Sequence, residues 1–273
     1  MRNQVTLARR AYFSAGRRLR NPEWSDERNR QVFGKLASPH GHDYVLDVFY
    51  QGAVSDEDGM IVNISELKPV IAAVVDQLDG KFLDQEVPEF AARRPTAENI
   101  VDFIWNKLPH CMGTGRLTRL RLEETSRLWV EKTETSMRIT RKYEFAAAHR
   151  LYAPQLPEEE NCARYGKCAN PSGHGHNYTL EVALEGTPDA DTGMIIPLTE
   201  LDRIVDEEVM EPFDHKHLNE DCPDFANLIP TSENFARVLF ERLRSRLDHA
   251  GYRLAKVGLH ETTKNYFEVE ASE

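Results

Sequence analysis

The chain lacks the features that mark several special classes of protein. It has no apolar run near the roughly 20 residues that a membrane-spanning helix needs. Its four cysteines are too few to form a disulfide framework in 273 residues. Basic side chains are also in deficit, since 34 Lys and Arg face 45 Asp and Glu, for a net charge of −11. This balance argues against a general nucleic-acid binder. Together, these absences predict a soluble, cytoplasmic protein.

One pattern occurs twice in the chain, at an offset of about 132 to 137 residues. The matched motifs, in order, are Phe13–Leu19 with Phe145–Leu151, Gly34–Tyr44 with Gly166–Tyr178, Asp58–Ile61 with Thr192–Ile195, Leu78–Lys81 with Phe213–Lys216, Pro95–Asn99 with Pro230–Asn234, and Glu123–Thr125 with His260–Thr262. So many matches in one order indicate tandem duplication, and two copies are too few for a solenoid. The sequence therefore predicts two similar domains, residues 1–133 (the first half) and 137–273 (the second half). A short charged linker joins them, and we expect the halves to pack together.

Acidic residues are absent from the first twenty positions, which carry six arginines. Such a stretch is typical of a transit peptide. Residues 5–19, however, align with the first strand predicted for the second half. The arginine-rich start is therefore predicted to be part of a folded domain.

Each half is predicted to run strand, strand, helix, helix, strand, strand. In the second half, residues 137–150 are apolar and β-rich, and residues 174–185 alternate with a period of two. One helix is predicted after Pro197, and Thr231 or Ser232 is a plausible N-cap for the next. Residues 256–260 and 267–270 read as closing strands. This order predicts an α+β domain, with an antiparallel four-stranded sheet covered on one face by two helices.

Three histidines of the second half form a candidate metal site: His149, His174 and His176. Three neutral imidazoles leave one position of a tetrahedral zinc open, which is the catalytic pattern. His174 and His176 are two apart at the start of a predicted strand, so both side chains point to one face. A single His-x-His is common and by itself is weak evidence for a metal site. The third histidine and the nearby Cys168 favour a metal site over a chance pair. Cys168 is close enough in sequence to act as a nucleophile or base.

The first half differs at the positions where this chemistry would lie. Arg17 stands where the second half has His149, and a guanidinium stays protonated and cannot replace an imidazole on zinc. Leu36 replaces Cys168, and Gly80 replaces His215. The first half is therefore predicted to be a non-catalytic copy. One hypothesis is that Arg17 fills the vacated metal position or contacts a phosphate from a neighbouring site.

The ordered motifs resemble the 6-pyruvoyl-tetrahydropterin synthase family, which includes the bacterial 6-carboxytetrahydropterin synthases. The second half matches over nearly its whole length, and the first half matches the scaffold only. The resemblance implies two tandem tunnelling-fold (T-fold) domains. In this fold, sheets from several domains assemble into a barrel with substrate pockets at the interfaces between domains. It therefore implies a homo-oligomer that binds a small pterin substrate, with no nucleic-acid or membrane partner.

The resemblance also implies roles for the matching residues. The implied sets are His149, His174 and His176 as ligands of Zn²⁺, Cys168, Asp214 and His215 as the catalytic group, and Glu261, Thr231 and Glu233 as the pterin pocket. The zinc would act as a Lewis acid on the side chain of the substrate. Cys168 would be the general base, and Asp214 would orient His215. Apart from the resemblance, Thr231 and Glu233 are adequately explained as a helix start.

The implied reaction converts 7,8-dihydroneopterin triphosphate to 6-pyruvoyl tetrahydropterin. The sister reaction gives 6-carboxytetrahydropterin, a precursor of deazapurines such as queuosine. The fold and the zinc site serve both reactions, so the product stays open.

Two other functions stay open. The chain is also compatible with a non-catalytic pterin-binding or scaffold protein of the same fold, although such a protein has no need of Cys168 with Asp214 and His215. A zinc hydrolase would need an Asp or Glu as the base beside the metal-bound water, where the sequence offers cysteine.

In the family, the cysteine and the Asp-His pair can come from different subunits. Because the first half has Asp79 and Gly80 without a histidine, we expect second halves of several chains to meet.

Overall fold

A computed structural model describes residues 3–272. The chain divides into two compact units. The first unit holds the residues through Thr140 together with Glu185–Thr199, and the second holds Arg141–Leu184 and the residues from Glu200 onward. A segment of the second half therefore belongs to the first unit.

The first unit is built on an antiparallel sheet with the strand order β1-β2-β4-β5, and β3 pairs with β4. Its strands are β1 (Gln4–Arg17), β2 (His40–Ala53), β3 (Cys111–Met112), β4 (Gly115–Thr125) and β5 (Leu128–Lys132). Its helices are α1 (Asp26–Phe33), α2 (Ile64–Val75), α3 (Leu83–Glu86), α4 (Glu89–Ala92) and α5 (Ala97–Lys107). The long β1–β2 pairing places Arg17 opposite His40.

The second half repeats this plan with the strand order β6-β7-β9-β10, and β8 pairs in parallel with β6. Its strands are β6 (Met137–His149), β7 (His174–Glu185), β8 (Lys216–His217), β9 (Arg253–Thr262) and β10 (Asn265–Glu270). Its helices are α6 (Glu158–Tyr165), α7 (Leu198–Val205), α8 (Glu211–Phe213), α9 (Leu218–Asp221) and α10 (Ser232–His249). A π-helical turn, Asp206–Met210, connects α7 to α8.

The predicted α+β class with antiparallel sheets is confirmed, and the main elements lie where the periodicity placed them. Thr231 caps α10 by accepting a hydrogen bond from the Asn234 N–H, which is how a threonine stabilises a helix start. Strand β5 ends at Lys132 and β6 begins at Met137, so residues 133–136 connect the two halves. Helix α6 was not predicted, since its sequence is mostly polar and lacks an apolar period.

Alternating side chains of each sheet supply the core. Tyr44, Leu46 and Val48 of β2 are buried, as are Tyr178 and Leu180 of β7. These strands hold the residues at their ends in fixed positions. Within residues 3–272, no helix has the length and apolar character that a membrane crossing requires.

Candidate functional site

The end of β6 and the start of β7 bring three histidines together in the second unit. His149, His174 and His176 each offer a ring nitrogen, and these nitrogens all lie within 4.8 Å of one another. The Nε2 atoms of His149 and His174 are 3.2 Å apart. His149 is 1% exposed, so the cluster lies at the edge of the core.

The donor set fits a divalent metal ion such as zinc. The Nδ1 atom of His149 lies 2.8 Å from the carbonyl oxygen of Pro230 and donates to it, which leaves Nε2 as the free ligand atom. Among the described residues, the buried Nε2 of His176 has no hydrogen-bond partner. Burial is the main cause that lowers the pKa of both His149 and His174. Neutral imidazoles are the form that binds metal, and three of them leave a coordination position open.

Glu261 on β9 provides a carboxylate beside this cluster. Its Oε1 lies 3.8 Å from Nε2 of His176. Burial acts to raise the pKa of Glu261, but hydrogen bonds from Ser232 and Asn265 and the nearby histidines bring it below its usual value. Ser232 Oγ donates to Glu261 at 2.6 Å and Asn265 Nδ2 at 2.9 Å. The carboxylate is therefore held ionised and oriented.

Ser232 and Asn265 were not predicted as site residues. The sequence explained Ser232 as a possible helix cap, and this explanation hid its contact with the distant Glu261. Asn265 lies only four residues after Glu261, at the start of β10. Only one of the two candidate caps is used, because Thr231 accepts from the Asn234 N–H and leaves the Ser232 hydroxyl for Glu261. A redundant cap residue was thus the available signal.

The other two predicted pterin-pocket residues lie at the start of α10. Thr231 is half-buried and its hydroxyl oxygen accepts from Asn234 at 3.3 Å. Glu233 is exposed, and it makes no hydrogen bond or ion pair within the described part of the chain. Glu233 is therefore adjacent to Ser232 in sequence, but it makes no hydrogen bond to Glu261 within the described residues.

Cys168 lies in a 3₁₀ turn, Gly166–Ala169, that precedes β7. Its carbonyl oxygen accepts from the Leu151 N–H at 2.8 Å, which ties the turn to the chain after His149. Burial, followed by the negative charge of Glu261, raises the pKa of the Cys168 thiol. The thiolate therefore needs a nearby cation to form near neutral pH.

Asp214 and His215 form a separate pair at the end of α8. Asp214 Oδ1 accepts from the Ala146 N–H and lies 2.9 Å from Nδ1 of His215. The Ala146 N–H is the main cause that lowers the pKa of Asp214, and His215 adds to it. The side chain of His215 is 82% exposed. No hydrogen bond or ion pair among residues 3–272 joins this pair to Cys168.

His215 also has an unusual backbone. Its φ is 57°, and it is the one non-glycine residue between positions 3 and 272 with a positive φ. Its counterpart in the first half is Gly80, at φ 69°. A side chain in this left-handed region costs free energy, and such strain is common at functional sites.

The first half holds an arginine where the second half gathers histidines. Arg17 is 1% exposed, and its Nη1 donates to the carbonyl oxygen of Pro95 at 2.7 Å. Pro95 corresponds to Pro230, so Arg17 and His149 use the same carbonyl. Its Nη2 donates to Glu124 Oε2 at 2.5 Å, and its Nε lies 3.4 Å from Nε2 of His40.

The guanidinium of Arg17 therefore lies among groups that correspond to Pro230, His174 and Glu261. Burial opposes its charge, but Glu124 reverses this effect, and the pKa of Arg17 is raised. Burial is also the main cause that lowers the pKa of His42, whose Nε2 lies 3.2 Å from Glu124 Oε1. In the first half, a fixed cation therefore lies beside His40 and Glu124.

Comparisons with known proteins agree with the duplication. The family model described as 6-pyruvoyl tetrahydropterin synthase matches residues 6–135 and again residues 138–272. The 6-pyruvoyl tetrahydrobiopterin synthase of Pongo abelii is 43% identical over 127 residues, which are 46% of this chain and 86% of that protein. The Homo sapiens protein of the same name is 42% identical over 127 residues, with the same coverage of both chains.

A solved structure is similar over the length of about one half. The Caenorhabditis elegans 6-pyruvoyl tetrahydropterin synthase is 38% identical, covers 50% of this chain and 96% of its own, and has a TM-score of 0.47. The family model, by contrast, accounts for both halves. The chain therefore belongs to the 6-pyruvoyl tetrahydropterin synthase family, with two copies of the family's domain in tandem.

Proposed function

We propose that this chain is a zinc-dependent tetrahydropterin synthase, a lyase that acts on 7,8-dihydroneopterin triphosphate. The observation that carries the proposal is the three-histidine cluster with Glu261 at its edge, within a segment that matches the family. The domain of residues 137–273 carries the reaction. The names of the relatives support a tetrahydropterin synthase.

The metal site supplies electrophilic chemistry. His149, His174 and His176 would hold Zn²⁺, and the bound ion would polarise the side-chain hydroxyls of the substrate as a Lewis acid. The His149 ring is fixed by its hydrogen bond to Pro230, so one of the three ligands is held in place before the metal binds.

The carboxylate of Glu261 is suited to anchor the pterin ring. Its hydrogen bonds to Ser232 and Asn265 fix its plane and keep it ionised. An ionised carboxylate accepts two hydrogen bonds from adjacent N–H groups, which a pterin ring presents. Thr231 and Glu233 would line the same pocket from the start of α10.

Cys168 is proposed as the general base. Its thiolate would take a carbon-bound proton from the substrate side chain, and a cation at the histidine cluster would lower the thiol pKa that burial raises. Asp214 fixes the ring of the exposed His215, which would exchange protons with the thiol in the assembled homo-oligomer. The proposed product is 6-pyruvoyl or 6-carboxy tetrahydropterin, for pterin or queuosine biosynthesis.

The domain of residues 1–133 is proposed to be non-catalytic. Arg17 fills the position of the metal and pairs with Glu124, the counterpart of the pterin anchor. Leu36 and Gly80 replace the thiol and the histidine. This half would therefore serve as a scaffold.

The proposal is tested by incubating zinc-loaded protein with 7,8-dihydroneopterin triphosphate and identifying the product by mass spectrometry. A pyruvoyl or carboxy tetrahydropterin supports the synthase and identifies which reaction it performs. Cys168→Ala should keep zinc and lose turnover. Absence of product from folded, zinc-loaded protein would contradict the proposal and favour a pterin-binding protein.

A further inference from the structure

A pocket with several arginines (the arginine pocket) lies in the first unit, among residues that follow β1 and residues that precede α5. Its volume is about 460 Å³, which is within the range of pockets that hold small molecules. Arg18 and Arg20 line it after β1, and Arg93 and Arg94 line it before α5. Phe90 also lines the pocket and is 4% exposed. The arginine pocket therefore combines positive charge with apolar surface.

A loop that follows β7 in the sequence completes the lining. Asp191 lines the arginine pocket, and the Arg94 Nη1 atom donates to the carbonyl oxygen of Ala190 at 3.3 Å. Further along this loop, the Gly193 carbonyl oxygen accepts from Thr96 Oγ1 at 2.6 Å. The pocket is therefore built from both halves of the sequence, and hydrogen bonds hold its parts together.

The second half has a pocket of about 660 Å³ at the corresponding place. The repeat aligns Arg150 with Arg18 and Phe225 with Phe90, and these residues line their respective pockets. Three further positions are arginines in the first half and uncharged in the second, where Arg20, Arg93 and Arg94 correspond to Tyr152, Leu228 and Ile229. The arginine pocket therefore has three positive charges that its counterpart lacks.

Acidic side chains offset part of this charge. Three carboxylates also line the arginine pocket: Glu23, Asp84 and Asp191. Asp84 is engaged by Arg18, because its Oδ1 accepts from the Arg18 N–H at 2.9 Å and its Oδ2 lies 3.8 Å from the Arg18 Nε. Four arginines against three carboxylates leave a net charge of +1. In the counterpart pocket, Arg150 and Glu220 cancel.

The charge of Arg94 has no acidic partner within residues 3–272. This arginine is half-buried, and its guanidinium contacts the carbonyl oxygens of Ala92 and Ala190, both at 3.3 Å. The other two additional arginines do have such partners, Arg20 with Asp26 and Arg93 with Asp102. A half-buried charge that has lost part of its hydration is costly unless it is paired. A bound anion would therefore stabilise Arg94.

Arg18 and Arg94 are also held ready to bind. The Arg94 carbonyl oxygen accepts from Asn99 Nδ2 at 2.8 Å, and Asp84 holds the backbone of Arg18. Each guanidinium has a buried Nε without a hydrogen-bond partner among the described residues. Since an arginine offers five N–H donors, both side chains have donors that the protein leaves unused.

We propose that the arginine pocket binds a phosphate group, free or carried by a small molecule. Arg18, Arg20 and Arg94 donate to its oxygens, because a planar guanidinium matches the geometry of phosphate with paired N–H groups. The surface of Phe90 accommodates an organic part of the ligand. The counterpart pocket lacks these donors. The first half is then a ligand-binding domain in addition to a scaffold.

The test is isothermal titration calorimetry of the zinc-loaded full chain with sodium pyrophosphate and, separately, with ribose 5-phosphate. We expect saturable binding that weakens as the salt concentration rises. Arg94→Gln should raise the dissociation constant at least about tenfold, because charge-assisted hydrogen bonds are lost. The matched control, Arg30→Gln, removes the same charge from an exposed position of α1 and should bind as the wild type does.

Two further variants keep the test decisive. Arg20→Tyr introduces the residue of the second half and should also weaken binding, so the outcome does not depend on the folding of Arg94→Gln alone. His174→Ala removes a proposed zinc ligand and should retain the binding, because the arginine pocket does not use the metal. The ligand that binds more tightly identifies the source of the phosphate, inorganic for pyrophosphate and organic for ribose 5-phosphate.

Three results would overturn the proposal. The first is that neither ligand binds to the wild-type chain. The second is equal weakening in Arg94→Gln and Arg30→Gln, which would reveal a general effect of charge. The third is binding that disappears in His174→Ala, which would assign the phosphate to the histidine cluster. None of these results depends on turnover, so they are distinct from a failure of the proposed function.

Discussion

At the end of the first strand of each half, a different side chain hydrogen-bonds to the corresponding backbone carbonyl group. In the second half His149 binds Pro230 and turns its other nitrogen toward two histidines. In the first half Arg17 binds Pro95 and extends to Glu124. The longer side chain of Arg17 reaches the buried Glu124 and places a positive charge in the core of the first half.

This difference shows how a buried carboxylate can be compensated by a side chain of the same half. An unpaired buried carboxylate is costly, and a removable cation or a permanent one can compensate it. Glu124 is 4% exposed and has the permanent cation Arg17. The first half therefore carries its own compensating charge, and we propose that a bound metal ion supplies the positive charge beside the three histidines of the second half.

The largest expected effect comes from giving the second half the residue of the first. His149→Arg should abolish zinc binding, because a guanidinium offers no lone pair. The zinc content, measured by elemental analysis, should fall to zero per chain, and turnover should be lost with the metal. His249→Arg, at the exposed end of α10, should keep both. Retained zinc in His149→Arg would contradict the assigned ligand set.

The reverse exchange should create a metal site in the first half. Arg17→His would place three histidines near Glu124, and without metal it removes the guanidinium that pairs with this buried carboxylate. The loss of stability should be about 3–5 kcal/mol in the metal-free variant. Added zinc should restore the melting temperature of Arg17→His and leave that of Arg17→Ala low. Equal responses to zinc would refute the correspondence between the two sites.

The buried Glu98 should make the stability of the protein depend on pH. Burial raises the pKa of Glu98 to about 7, so the folded protein holds this proton more tightly than the unfolded chain. The stabilisation that protonated Glu98 provides is fully present below the pKa of the unfolded chain. It is lost as the pH rises through the folded pKa of about 7, by as much as about 3 kcal/mol.

Denaturant titrations between pH 4.5 and 8 check this prediction. The slope from Glu98 should disappear in Glu98→Gln, because an amide does not titrate. An unchanged slope in Glu98→Gln would assign the effect to another group.

The smallest expected effect concerns the backbone at His215. His215→Gly gives the second half the residue of Gly80, which adopts the same positive φ without strain. Stability should increase by about 1 kcal/mol, while turnover falls. Gly80→Ala should make the opposite change in stability, since it introduces strain in the first half. Equal stability of His215→Gly and wild type would show that the strain is relieved elsewhere.

Much of the fold could be predicted from the sequence because its periods and motifs occur twice. Strand β7 and helix α10 follow from alternation and from the cap at Thr231. The histidine cluster follows from the two-residue spacing of His174 and His176 at a strand start. These features depend on neighbours in sequence, where pattern is informative.

Contacts between distant segments could not be read from the sequence. The hydrogen bond from Ser232 to Glu261 and the burial of Arg17 beside Glu124 depend on how the sheet and helices pack. The seating of Asp189–Thr199 on the first half is of the same kind, because it lies beyond the boundary that the repeat suggests. Packing, which depends on three-dimensional shape, decided each of these cases.

The most direct test of the comparison is the zinc content of the purified wild-type chain after saturation and removal of loosely bound metal. Three imidazoles in one half and a fixed guanidinium in the other predict one zinc per chain. Two zinc ions per chain would show that the first half still binds metal despite Arg17. A chain that binds none would contradict the metal site of the second half and the function proposed from it.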